Sequence, residues 1–341
     1  MHSTATKTER ISAIDFTKGA LVLTMVLYHW LNYFYASHGD VYRYLRFLPP
    51  SFICISGFLV SSVYFAKYGP AHPGLSLRLA RRGLKILAIF LFLNLAGGVL
   101  LSAIAHAPAP AAFFSPVNLV AVFLSGNIAV VGAGKSAAFF ILVPIAYLLL
   151  LSALLALFRG VFPYVFHVLF LCFLLLILLL HHQGLQSGNL ELLSIGLLGV
   201  LLGFLPAHRI AAFIRYPFPF AAAYLGYLAA VTYWEVSFPL EVAAVLLNLM
   251  LFFFLGTVAG EFAGIRRLIL LLGNYTLFGY IAQIAILQVL RLFLRRLHLE
   301  NGLLPVSFIA AFTLTILSIV LLDRARAKSS ALDGLYKAVF A

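Results

Sequence analysis

Long apolar runs, parted by short polar or basic stretches, dominate the chain. A helix that crosses a bilayer needs about 20 mostly apolar residues. Ten runs approach that length: 14–35, 47–67, 86–106, 137–158, 161–180, 190–206, 216–234, 239–259, 268–291 and 302–322. Several carry Pro or Gly, which membrane helices tolerate when neighbouring groups satisfy the freed backbone. The pattern predicts an all-α fold, a polytopic membrane bundle of about ten transmembrane helices. Segment 117–133 is apolar but short and interrupted by glycine, and spanning there would invert the charge pattern downstream. It reads as an outer loop or a re-entrant element. No repeat of fixed period is visible, so a repeat architecture is not expected. Residues 1–325 form one membrane domain in this reading, and 326–341 a short cytoplasmic tail ending in a turn of helix.

The basic residues orient the bundle. With Lys7 and Arg10 on the cytoplasmic side, the stretches holding Lys67 to Lys85, Arg159, Arg209 and Arg215, Arg266 and Arg267, and Arg324 to Lys328 fall there too. That is the positive-inside distribution, and it places both termini in the cytoplasm. Arg291, Arg295 and Arg296 are the exception; they snorkel or serve the outer mouth of a site.

Composition agrees. Hydrophobic residues make up 64% of the chain and charged residues 10%, where a soluble domain carries about 25% charge. The mean hydropathy is +1.08. The surplus apolar surface must face lipid, so the expected location is the cell membrane, multi-pass, with the bilayer as a partner. The net charge of +13 would fit nucleic acid if it lay on one face of a globular unit. It lies between apolar runs instead, and nucleic-acid binding is not expected. Cys54 and Cys172 both sit in apolar stretches and read as small core residues. No spacing supports a metal site, and the first apolar run reads as a retained helix.

Polar groups inside the first run are costly, about 2.5–3.5 kcal/mol for a Lys or Asp near the centre. Asp15, Lys18, His29 and Asn32 all lie there. At about 100° per residue Lys18 and His29 nearly eclipse one another, and Asp15, Met25 and Asn32 fall within about 40° of the same line. The rise from Lys18 to His29 is about 16 Å. One polar face on an otherwise apolar helix implies a polar cavity in the bundle. Separately, Lys18 could snorkel or pair with Asp15, and His29 could rest in an aromatic belt beside Trp30 and Tyr33.

The run Leu75–Lys85 places Arg78, Arg81, Arg82 and Lys85 at i, i+3, i+4 and i+7, one face of a helix. Arginine forks take phosphate oxygens bidentately, so this face is a candidate anion site. Contact with anionic lipid is the alternative.

Four stretches together resemble the acyltransferase family 3 superfamily of membrane acyltransferases. The run Ile14–His29 is similar to its first helix, with Lys18 and His29 meeting an Arg/Lys-x10-His spacing. Arg78 to Arg81 matches its Arg-x-x-Arg motif. Phe139–Pro144 is similar to its Phe-Tyr-x-x-x-Pro helix start, and Leu271–Leu287 to its late helix. Ser136 stands where the family often has Glu, and Gln283 where it often has His. Arg81–Leu87 also resembles the related heparan-alpha-glucosaminide N-acetyltransferase group.

The resemblance implies an integral membrane O-acyltransferase that moves an acyl group, commonly acetyl, from cytoplasmic acyl-CoA to a hydroxyl or amine of a surface glycan. Arg78, Arg81, Arg82 and Lys85 would hold the phosphates of the polyanionic donor, and Lys18 would draw it in. His29 would act as general base, since imidazole titrates near neutral pH. Asp15 is about 21 Å from His29 along the helix, so an orienting partner must come from another helix. Asn274, Tyr280 and Gln283 are the candidates, with Asn32 supporting from the first helix. A transporter or flippase of a glycan or lipid-linked intermediate would explain a polar cavity and basic mouth without chemistry. It does not call for the two spaced motifs together.

Overall fold

A computed structural model describes residues 12–35, 41–69, 72–105, 115–126, 139–159, 161–258, 263–297 and 303–340. Among them the chain is helical throughout, with no strand. In order the helices are α1 (Ser12–Trp30), α2 (Leu48–Leu59), α3 (Pro73–Ala105), α4 (Pro116–Val120), α5 (Leu142–Arg159), α6 (Val165–His182), α7 (Gly188–Leu202), α8 (Ala207–Phe213), α9 (Phe218–Tyr233), α10 (Phe238–Val258), α11 (Ala263–Asn274), α12 (Thr276–Arg296), α13 (Leu304–Lys328) and α14 (Ser330–Phe340). Wider π-type turns extend α1 through Leu31–Tyr35, α2 through Val60–Phe65 and α4 through Ala121–Ser125. Six stretches are long and apolar enough to cross a membrane: Arg43–Tyr68, Leu142–Arg159, Val165–His182, Phe238–Val258, Thr276–Arg296 and Leu304–Lys328. The chain is a multi-pass, all-helical membrane protein.

It divides into two compact units. One comprises Met1–Leu48 and His208–Asp333, the other Pro49–Ala207 and Gly334–Ala341.

In the first unit α1 is the central helix. Leu21, Val22, Met25 and Val26 are fully buried, packed among α10, α11, α12 and α13. Small residues let backbones close in, the usual device for helix association in lipid. A Cβ on Gly19 would land on the carbonyl oxygen of Ile269, and one on Gly273 on that of Asp15, so α1 and α11 touch backbone to backbone.

The expected span 268–291 is two helices. Tyr275 leaves helical geometry at φ −111°, ψ 29° between α11 and α12. Thr276 Oγ1 donates to the Gly273 carbonyl at 2.7 Å, and the Tyr275 hydroxyl donates to Asp323 at 2.7 Å. Arg326 donates to the same hydroxyl at 2.9 Å and forks onto Asp333 at 3.0 and 2.6 Å. A network tying α13 to the first turn of α14 thus holds the break, and hydropathy carries no signal of it.

In the second unit the basic run is not a loop before a helix. It forms the opening turns of α3, which begins at Pro73, a residue suited to a first helical turn. Leu75, Leu79, Ile86 and Phe90 are buried along it, and Gly83 lies against the Ala146 carbonyl of α5. The described part of segment 117–133 is the short helical stretch Pro116–Ser125, less than a bilayer-spanning length. Ser115 caps its start and Gly126, at φ 69°, ends it. Asn189 donates its amide to the Val122 carbonyl at 2.9 Å and so fastens it to α7. Cys54 is buried as expected, but Cys172 is exposed on α6, among exposed Leu171 and Leu175. It is a surface residue of a helix whose outer face suits lipid, not a core one.

Candidate functional site

His29 ends α1. It is 8% exposed, and its Nε2 is buried with no hydrogen-bond partner among the described residues. Its ring meets Tyr28 edge-on at 5.3 Å and Tyr280 of α12 at 5.9 Å between centroids. Gln283, one helical turn beyond Tyr280, is 0% exposed, and neither end of its amide has a partner among the described residues.

These two groups share one seam. On α12, Gly279, Gln283 and Leu287 stand four apart and therefore line one face. Gly279 meets Val22 of α1 and Ile319 of α13, while Leu287 packs with Val26 and Ala311. Gln283 lies between these contacts, on the face turned to α1 and α13. On α1, Val22, Val26 and His29 follow at i, i+4 and i+7, the same face. Leaving an amide buried and unpaired costs about 2–7 kcal/mol. Two such groups on one seam mark a place built for a polar visitor.

The seam stays polar beyond His29 and closes before it. Gln288 donates to the Tyr33 hydroxyl at 3.2 Å, and the Arg291 guanidinium lies 5.8 Å from the Tyr33 ring centre. Trp30 donates its indole N–H to Ser307 at 2.9 Å, fixing the end of α1 against α13. In the other direction Val22 and Met25, on the line from Lys18 to His29, are 0% and 1% exposed. The face of α1 expected to be a continuous polar stripe is therefore polar at its two ends and apolar between them.

Lys18 forms an ion pair with Asp15 at 2.6 Å, with side chains 16% and 11% exposed. Asn32 is half-buried in the π-type extension of α1. Asn274 is exposed at the end of α11, on the far side of the Tyr275 break from Gln283. Of the three late-helix candidates to orient His29, Tyr280 is the one whose ring lies against it; the Gln283 amide bonds to nothing among the described residues.

In the second unit Arg78 donates to the Tyr68 hydroxyl at 2.9 Å, with its guanidinium 4.6 Å over the same ring. Arg82 donates to the Tyr64 hydroxyl at 3.1 Å. Arg81 and Lys85 are exposed. Tyr64 and Tyr68, four apart at the end of α2, match the four-residue step of the two arginines and preset their direction. Sequence reading missed both tyrosines, although a Tyr pair spaced by four before a basic helix is a usable signal. Phe139 and Phe140 are buried ahead of α5. Ser136 lies outside the described residues.

A helical membrane bundle with a buried, unpartnered imidazole and a tyrosine-held arginine face defines the class. The family comparison is specific: the model of the acyltransferase domain of family 3 matches residues 11–324. The chain belongs to this family. No curated protein and no solved structure matches it.

Proposed function

We propose that this membrane acyltransferase takes an acyl group, acetyl in the simplest case, from acyl-CoA supplied on the cytoplasmic side. It passes the group to a hydroxyl of a surface glycan or related acceptor. The observation that carries the reading is the buried His29 whose Nε2 has no hydrogen-bond partner among the described residues, in a chain of acyltransferase family membership. A general base needs an open lone pair within reach of the proton it takes, and a side chain already bonded to the protein would have to break that bond first. As the acceptor oxygen attacks the thioester carbonyl, His29 takes the hydroxyl proton. The tetrahedral intermediate then collapses, the C–S bond breaks and the CoA thiolate leaves with a proton. Arg78, Arg81, Arg82 and Lys85 bind the donor's phosphates, and Lys18 adds positive charge on the cytoplasmic side.

Stacking and hydrogen bonding to Tyr68 and Tyr64 support the donor role. An arginine held in place loses less freedom when it binds a phosphate than one that swings through solvent. The test uses the purified full chain in detergent, with acetyl-CoA as donor. Thioester consumption is followed, together with acetyl-CoA affinity in the double variant Arg78→Gln/Arg81→Gln. The expected result is acetyl-CoA-dependent transfer and a drop in affinity of about tenfold or more, since hydrogen bonds to charged groups contribute about 1.5–3 kcal/mol each. Unchanged affinity would remove the clamp, and a chain that moves a glycan without consuming thioester would be a transporter.

A further inference from the structure

We propose that Gln283 is an acceptor-binding residue, its carboxamide bridging two neighbouring hydroxyls of the acceptor and presenting one of them to His29. The inference rests on the acyltransferase reading and adds the kind of acceptor: a polyol that keeps a free hydroxyl next to the one acylated.

Chemistry selects the partner. A carboxamide offers a donor at Nε2 and an acceptor at Oε1, and in Gln283 both are buried and without a partner among the described residues. A thioester carbonyl can satisfy the donor alone. Two adjacent hydroxyls satisfy both ends, one accepting from Nε2 and the other donating to Oε1. An amide in the pantetheine arm of the donor has the same complementarity, and the course of the seam decides between the two. Toward Lys18 the α1–α12 contact is shut by Val22 against Gly279, with Val22 fully buried. Toward the other end it continues through Tyr33, Gln288 and Arg291. The charge rule assigns that end to the outside, where a surface acceptor resides.

Glutamine at this position also differs in kind from histidine. It carries no proton that titrates, so it holds a hydroxyl pair equally at every pH and leaves proton transfer to His29 alone.

The experiment uses the full chain in detergent and small probes. Binding of trans-cyclohexane-1,2-diol, cyclohexane-1,4-diol and cyclohexanol is measured by saturation-transfer NMR for wild type, Gln283→Leu and Gln283→Glu. The 1,2-diol is expected to bind wild type at least tenfold more tightly than the other two. Leucine, of similar volume and apolar, abolishes that preference while leaving acetyl-CoA affinity unchanged. Glutamate, which keeps the acceptor atoms, retains part of it. Equal binding of the three probes, or a diol preference surviving Gln283→Leu, overturns the proposal. So does a Gln283→Leu variant that loses acetyl-CoA affinity instead, because the amide would then serve the donor arm. None of these readings needs turnover. Diol selectivity through Gln283 in a chain that never consumes thioester would overturn the enzymatic reading and leave this one standing.

Discussion

Replacing His29 with alanine is expected to lower acyl transfer by about 10²- to 10⁴-fold, the usual contribution of a positioned general base. Acetyl-CoA affinity should hold, because the basic face of α3 and the imidazole belong to different units of the fold. The loss should appear in kcat and not in the donor KM, since an interaction made only as the proton moves acts on the transition state. Folding should survive. The variant leaves a small void beside Tyr280, but it also removes a buried nitrogen without a partner among the described residues, and the two effects oppose one another. Initial rates on the purified variant, with melting temperature recorded beside them, check both statements. A variant within threefold of wild type would show that the proton goes elsewhere. A variant that no longer melts cooperatively would show that His29 is chiefly a packing residue.

The second large effect falls on assembly. Gly273→Val is expected to unfold the chain or strip α11 from α1. A Cβ at Gly273 would overlap the backbone carbonyl of Asp15, and one at Gly19 the carbonyl of Ile269. Backbone cannot rotate away as a side-chain tip can, so the helices must part. Overpacking alone costs about 1–3 kcal/mol, and parting also undoes the close packing along α1. The Asp15–Lys18 pair sits beside this interface and should loosen with it. Gly264, on the same helix with nothing near its missing Cβ, is the control. Gly264→Ala should be neutral or slightly stabilising, by at most about 0.5–1 kcal/mol. Thermal melts and detergent-solubilised yield of Gly273→Val, Gly19→Val and Gly264→Ala distinguish the cases. Equal stability for the three would show that α1 and α11 do not touch as described.

The donor face and the candidate base were legible for different reasons. Arg78, Arg81, Arg82 and Lys85 announce a helical face by spacing alone, because charges three and four apart must stand together on any helix. Lys18 and His29 announce a shared line on α1 in the same way. The apolar closure between them was not legible, since it depends on what α12 and α13 bring against Val22 and Met25. The division of span 268–291 was hidden likewise. An apolar count cannot register Tyr275 turning out of the helix to bond Asp323, 48 residues further along.

By itself the sequence determined that the chain is a helical membrane protein, that its basic residues cluster between apolar runs, and which side chains are too costly in lipid to be there by accident. Those are properties of composition and of the helical repeat, local along the chain. Only the tertiary structure decided that His29 and Gln283 share one seam, that Tyr64 and Tyr68 hold two arginines, and that Lys18 is paired with Asp15. Each depends on which helices become neighbours and at what height, or on which of several local partners a side chain takes. That choice is made by glycine-to-carbonyl approaches and packed side chains distant in sequence, which no single stretch encodes.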